Sequence, residues 1–169
     1  MPDSVPTRRL YIGLMPHAAV RAQIVEHRKH WFWPPGSRLT RPERLHMTLH
    51  FLGDAVDAER EAALRGALAQ VSVEPFALVL SEPEAWRDLA VLRAEPHPAL
   101  RDLYVRVAKH CGIRPERRPY TPHVTLARDA PGAAPPEAMR PIRWTVEKIA
   151  LVWSRLTPPV GYTVLGRYG

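Results

Sequence analysis

His46-Met47-Thr48-Leu49 and His123-Val124-Thr125-Leu126 repeat one pattern in the two halves of the chain. Each copy lies in a short run that reads as a β-strand, about Leu45 to Leu52 and His123 to Arg128. Residues i and i+2 of a strand share a face. Each copy therefore sets an imidazole beside a hydroxyl and turns Met47/Leu49 or Val124/Leu126 the other way. Two imidazoles supply an acid and a base near neutral pH. Two hydroxyls supply hydrogen bonds to a developing oxyanion. One such tripeptide is a weak signal, because alternating His and Thr suits any half-buried strand. The repetition carries the information.

Outward from these strands the chain alternates strand and helix signals. Arg9 to Leu14 reads as an opening strand closed by Met15-Pro16. His17 to Trp31 places Val20, Ile24 and Trp31 at helical spacing. Ala58 to Val71 reads as a second helix with Leu64, Leu68 and Val71 on its apolar face. Phe76 to Leu80 and Val91 to Ala94 read as strands. Pro98 opens a third helix striped by Leu100, Leu103, Val107 and Cys111, and Gly112 is its expected stop. Two strands, near Lys148 to Leu156 and Gly161 to Tyr168, close the chain. Both repeated strands follow an amphipathic helix and an Arg/Pro-rich loop. The expected fold is α+β: a pseudo-symmetric, bilobal single domain spanning residues 1–169. Two antiparallel sheets would face a central cleft with helices outside.

The composition narrows the partners. The 169 residues hold 24 Lys+Arg against 17 Asp+Glu, a formal charge of +7, which favours polyanions such as nucleic acid. Arginine dominates, and its guanidinium fork matches phosphate. One cysteine allows no internal disulfide, and no apolar leader opens the sequence, so a cytoplasmic address is expected. No apolar run is long enough to span a bilayer, so no membrane partner is expected. No His/Cys/Asp/Glu cluster has metal-ligand spacing, and no Gly-rich phosphate loop or nucleophile elbow occurs. The chemistry is therefore expected to need neither metal nor cofactor.

The extended motifs Leu45-His46-Met47-Thr48-Leu49-His50-Phe51-Leu52-Gly53 and Pro119-Tyr120-Thr121-Pro122-His123-Val124-Thr125-Leu126-Ala127-Arg128 resemble those of the two-histidine phosphoesterase superfamily. Within it they are most similar to the LigT-like RNA 2′,3′-cyclic phosphodiesterases, also described as 2′-5′ RNA ligases. The opening strand, Ser154-Arg155-Leu156 and Gly161-Tyr162 fit the same pattern. The resemblance implies metal-independent hydrolysis of RNA 2′,3′-cyclic phosphate ends to 2′-phosphomonoesters. It implies His46 as proton donor, His123 as proton acceptor, and Thr48 and Thr125 as oxyanion donors. It suggests Arg128 as a phosphate ligand. Strict alternation puts Arg128 opposite His123, so a strand end or bulge must bring it round.

Further residues are candidates for RNA contact. Tyr120 could stack on a base or anchor its loop. Arg117 and Arg118 could form a basic rim. His50 would share the face of His46 if the strand stays regular. The partner expected is RNA with a 2′,3′-cyclic phosphate terminus, bound by a monomer with no obligatory protein partner. Reverse 2′-5′ ligation is possible chemistry at the same site. The alternatives are a phosphodiesterase for small cyclic nucleotides or 2′-5′ oligonucleotides, and a non-catalytic RNA-binding protein of the same fold.

Overall fold

The computed structural model describes residues 6–114 and 116–169. Among these described residues nine strands and three α-helices follow in the order β1 (Thr7–Leu14), α1 (Ala18–Arg28), β2 (Arg38–Leu39), β3 (Met47–Asp57), α2 (Ala58–Leu68), β4 (Phe76–Trp86), β5 (Leu89–Ala94), α3 (Pro98–Cys111), β6 (His123–Arg128), β7 (Ile142–Val146), β8 (Ile149–Arg155) and β9 (Gly161–Tyr168). A 3₁₀ turn, Pro42–Arg44, leads into β3.

The helix limits follow local chemistry. The Asp57 side chain accepts from the Arg60 amide at the start of α2, and Glu59 and Glu61 sit in the first turn, where the helix dipole favours acids. Helix α3 starts on Pro98, whose missing N–H costs nothing in a first turn. It stops at Gly112 with φ of 64°, the left-handed stop that glycine adopts freely. Helix α1 has no side-chain cap, so its buried Val20 and Ile24 hold it down.

All strand pairings are antiparallel and run β7-β4-β5-β6-β3-β1-β8-β9, with β2 added on β6. The two halves, β7-β4-β5-β6 and β3-β1-β8-β9, meet at one residue pair, Met47 opposite Val124. In place of two separate facing sheets, one curled sheet is hinged at the two motif strands. Met47 and Val124 are fully buried, and each contributes about 1.5–3 kcal/mol through burial. One face of the sheet packs on Val20 and Ile24 of α1, Leu64 and Leu68 of α2, and Leu100, Leu103 and Val107 of α3 in a continuous core. The His/Thr face lies opposite. No helix among the described residues is long and apolar enough to cross a membrane.

Four strands exceed the expectation: β2 is an addition to it, β3 runs on from Leu52 to Asp57, and β4 and β7 exceed it at one end of the sheet. Strand β7 pairs with β4 at the sheet edge and alternates buried and exposed residues from Ile142 to Val146. Strand β4 continues past Leu80 through Glu82-Pro83-Glu84 to Trp86, paired with β5 alone beyond that point. Pro83 is tolerated there because β7 no longer needs an N–H from it.

Candidate active site

The register at Met47–Val124 sets the geometry. In antiparallel strands its continuation brings Thr48 across from His123 and His46 across from Thr125. The four motif side chains so form a ring about a local pseudo-dyad. The surroundings of the histidines repeat this symmetry. His46 Nδ1 lies 2.7 Å from the Arg44 carbonyl oxygen, and His123 Nδ1 lies 2.7 Å from that of Thr121. A carbonyl only accepts, so both rings carry their proton on Nδ1 and leave Nε2 as the working atom. The Thr48 hydroxyl then donates to His46 Nε2 at 3.1 Å.

The site holds both imidazoles neutral. Burial pushes the His46 pKa down from 6.5 to about 4, with Arg128 and His123 adding charge repulsion. Burial also lowers that of His123, helped by Arg128 and Arg93. The guanidinium of Arg128 therefore acts on both rings. How it reaches them is visible in the register. Ala90 pairs with Ala127 and Val91 with Thr125, so Leu126 is an extra residue on β6. Leu126 and Ala127 are both buried, and the bulge returns exposed Arg128 to the face of His123 and Thr125. Among the described residues Arg128 has no carboxylate partner; its neighbour Asp129 pairs with Arg38 at 3.4 Å instead.

A second bulge removes His50 from the site. Ile12 pairs with His50 but Gly13 with Thr48, so Leu49 is extra and His50 turns to the helix side. There its Nε2 contacts the Tyr104 carbonyl oxygen at 2.9 Å, and its ring stacks on Tyr104 at 4.3 Å. Tyr104 stacks in turn on Tyr120 at 4.2 Å, and the Tyr120 hydroxyl donates to the Thr48 carbonyl at 2.8 Å. Tyr120 thus spends one ring face on α3 and its hydroxyl on β3, which anchors the loop before β6. Arg117 and Arg118 lie exposed in the loop before β6.

Several residues at the site went unassigned in the sequence. Tyr11 stacks on His46 at 4.5 Å, and Tyr162 meets both rings edge-on. The Tyr11 ring lies over Gly13, where an added Cβ would fall 2.8 Å from the Met47 carbonyl and 3.1 Å from the ring itself. Burial raises the Tyr11 pKa, so it stays a neutral phenol. Arg44, whose carbonyl holds His46, donates from Nη2 to the Val160 carbonyl at 2.8 Å and ties the β8–β9 hairpin to the His46 side. On the other flank Trp86 lies edge-on to His123 at 4.6 Å. Period-2 patterning places Tyr11 off the core face of β1, the one local clue available. Among the described residues no group of three or more His, Cys, Asp and Glu is placed to hold a metal ion.

Residues 16–158 match the family model of the 2′-5′ RNA ligase superfamily. The chain belongs to that superfamily. It is 32% identical to the RNA 2′,3′-cyclic phosphodiesterase of Escherichia coli, over 73% of each chain. It is 33% identical to the enzyme of the same name from Thermus thermophilus, over 95% of this chain and 89% of that one. The crystal structure of E. coli LigT complexed with 3′-AMP superposes with a TM-score of 0.79 at 28% identity, covering 96% of this chain and 98% of that one. The α+β fold with two histidine motifs on adjoining strands is therefore that of the superfamily.

Proposed function

We propose that this chain hydrolyses RNA 2′,3′-cyclic phosphate ends to 2′-phosphomonoesters, with His46 as general acid and His123 as general base. The observation that carries the reading is the pseudo-symmetric pair of Nδ1-pinned imidazoles across the Met47–Val124 pair, with the Arg128 guanidinium acting on both. In-line displacement needs a base on the side of the attacking water and an acid on the side of the departing 3′-oxygen. Two histidines on adjoining strands can flank one phosphorus. Thr48, Thr125 and Arg128 would bind the non-bridging oxygens as charge gathers on them. The names of the curated relatives support the RNA substrate, and so does the charge of +7. The whole chain acts as one bilobal monomer without a metal or cofactor, and the reverse reaction joins a cyclic phosphate to a 5′-hydroxyl.

The test is a defined RNA ending in a 2′,3′-cyclic phosphate. The expected product is the 2′-monoester, formed at an unchanged rate in excess EDTA. Appearance of the 3′-monoester, or loss with chelator and recovery with a divalent metal, would overturn the scheme. A cyclic mononucleotide assayed beside it distinguishes a preference for RNA from one for small nucleotides.

The depressed pKa values set the pH dependence. The active form needs His46 protonated and His123 neutral. In the free enzyme both pKa values lie below the ordinary 6.5, so the optimum of kcat/KM lies on the acid side of pH 6.5 and activity falls above it. A bound phosphodiester anion offsets Arg128 and favours both imidazolium forms. The optimum of kcat should therefore lie at higher pH than that of kcat/KM. A kcat/KM profile with its optimum above neutrality would contradict this sign.

A further inference from the structure

The two flanks of the catalytic ring differ in chemistry. Beside His46 stand Tyr11, Tyr162 and the cation Arg44. Beside His123 stand Trp86, Arg93, Glu82 and Glu84. Arg93 pairs with His123 in the β5–β6 register and shares its face. Its Nη1 is held by Glu84 at 2.8 Å and Glu82 at 3.5 Å. Glu84 accepts from the Trp86 indole N–H through its second oxygen at 2.7 Å. One carboxylate thus fixes both the indole and the guanidinium around the base histidine.

This inference rests on the acid–base assignment above. If His46 serves the departing 3′-oxygen, the ribose of the cyclic phosphate lies on the His46 flank. The His123 flank then faces the attacking group. Water needs no aromatic platform there. A nucleoside does, because a base stacks on an indole whatever its sequence. Trp86 is only partly buried and offers such a surface. The charge selects further. Glu84 lies against the indole and Glu82 on the same guanidinium, so a 5′-phosphate beside Trp86 meets two carboxylates where a hydroxyl meets no repulsion.

We propose that Trp86, held by Glu84 and Arg93, forms the subsite for a nucleoside with a free 5′-hydroxyl, the attacking alcohol when a 2′-5′ linkage forms. In that step His123 Nε2 takes the 5′-hydroxyl proton and the bond from phosphorus to the 5′-oxygen forms. The bond from phosphorus to the 3′-oxygen breaks, and the proton on His46 Nε2 passes to that oxygen. The cyclic diester becomes a 2′-5′ diester with a free 3′-hydroxyl, and no other reactant is consumed. Cleavage of the same linkage runs the step backward, with the nucleoside leaving from the Trp86 side.

The test is a partition experiment with the full chain. RNA ending in a 2′,3′-cyclic phosphate is incubated with either a 5′-hydroxyl dinucleotide or methanol, and ester is measured against hydrolysis product. Trp86→Ala is expected to lower the dinucleotide-to-water ratio roughly tenfold or more, the size of one base stack. The methanol-to-water ratio should stay as it was, since methanol has nothing to stack. Trp86→Phe should recover most of the dinucleotide ratio. A 5′-phosphorylated dinucleotide should compete poorly. Equal loss of both ratios would mean that Trp86 acts only by positioning His123, and the subsite would be refuted. So would no change in either, or strong competition by the 5′-phosphate. A wild-type protein that consumes no cyclic phosphate defeats the hydrolase reading. One that consumes it but transfers to dinucleotide no better than to methanol defeats the subsite alone.

Discussion

Replacing His46 or His123 with alanine is expected to lower kcat on RNA 2′,3′-cyclic phosphate about 10²–10⁴-fold, or about 3–5 kcal/mol of barrier. Each ring is pinned at Nδ1 by a carbonyl two residues upstream, so its Nε2 is delivered in one orientation. Alanine removes that proton carrier without disturbing Met47 or Val124 behind it. The core residues beneath the site are fully buried and independent of the imidazoles, so melting temperature should change little. Residues that act as a unit do not add. The double variant should therefore sit near the worse single one. Steady-state rates on a defined oligonucleotide check the values. A variant that retained wild-type kcat would remove its histidine from the acid–base pair.

Arg128→Ala should carry the second largest effect, a loss of about 10²–10³ in kcat/KM, the usual cost of one oxyanion donor. It has a second signature. Arg128 depresses the pKa of both His46 and His123, so its removal raises both. The optimum of kcat/KM should move to higher pH as the rate falls. Arg128→Lys keeps the charge but loses the planar fork. It should hold the wild-type optimum while recovering only part of the rate. An Arg128→Ala variant with an unshifted profile and an unchanged rate would show that the guanidinium does not face the reacting phosphate.

Much of the candidate site could be read from local spacing. Period-2 alternation put His46 beside Thr48 and His123 beside Thr125, and turned Met47, Leu49, Val124 and Leu126 toward the core. All four of those apolar residues are buried. The same periodicity failed at His50 and Arg128, and for one reason. Bulges at Leu49 and Leu126 depend on how many residues the partner strand offers, and a single strand does not carry that number. His50 left the cleft and Arg128 entered it. Strand β4 was cut short at Leu80 because Glu82-Pro83-Glu84 has the composition of a loop. Its polar side in fact faces the cleft, and Trp86 and Glu84 went unassigned with it. Strand β7 went unread although Ile142, Trp144 and Val146 alternate cleanly, because the prolines before it give that stretch the look of a loop.

The amino-acid order by itself determined the chemistry on offer: two imidazole–hydroxyl pairs on strands, arginine in excess, and helices with a buried stripe. Side-chain type and i, i+2 spacing are local properties, and they survive any arrangement of the strands. The tertiary structure alone decided that β3 meets β6 at Met47–Val124, which joins the two pairs into one ring. It also decided which aromatics flank each imidazole and how far burial depresses its pKa. Those depend on register, desolvation and charge between residues distant in the chain, and such terms exist only once the strands have paired.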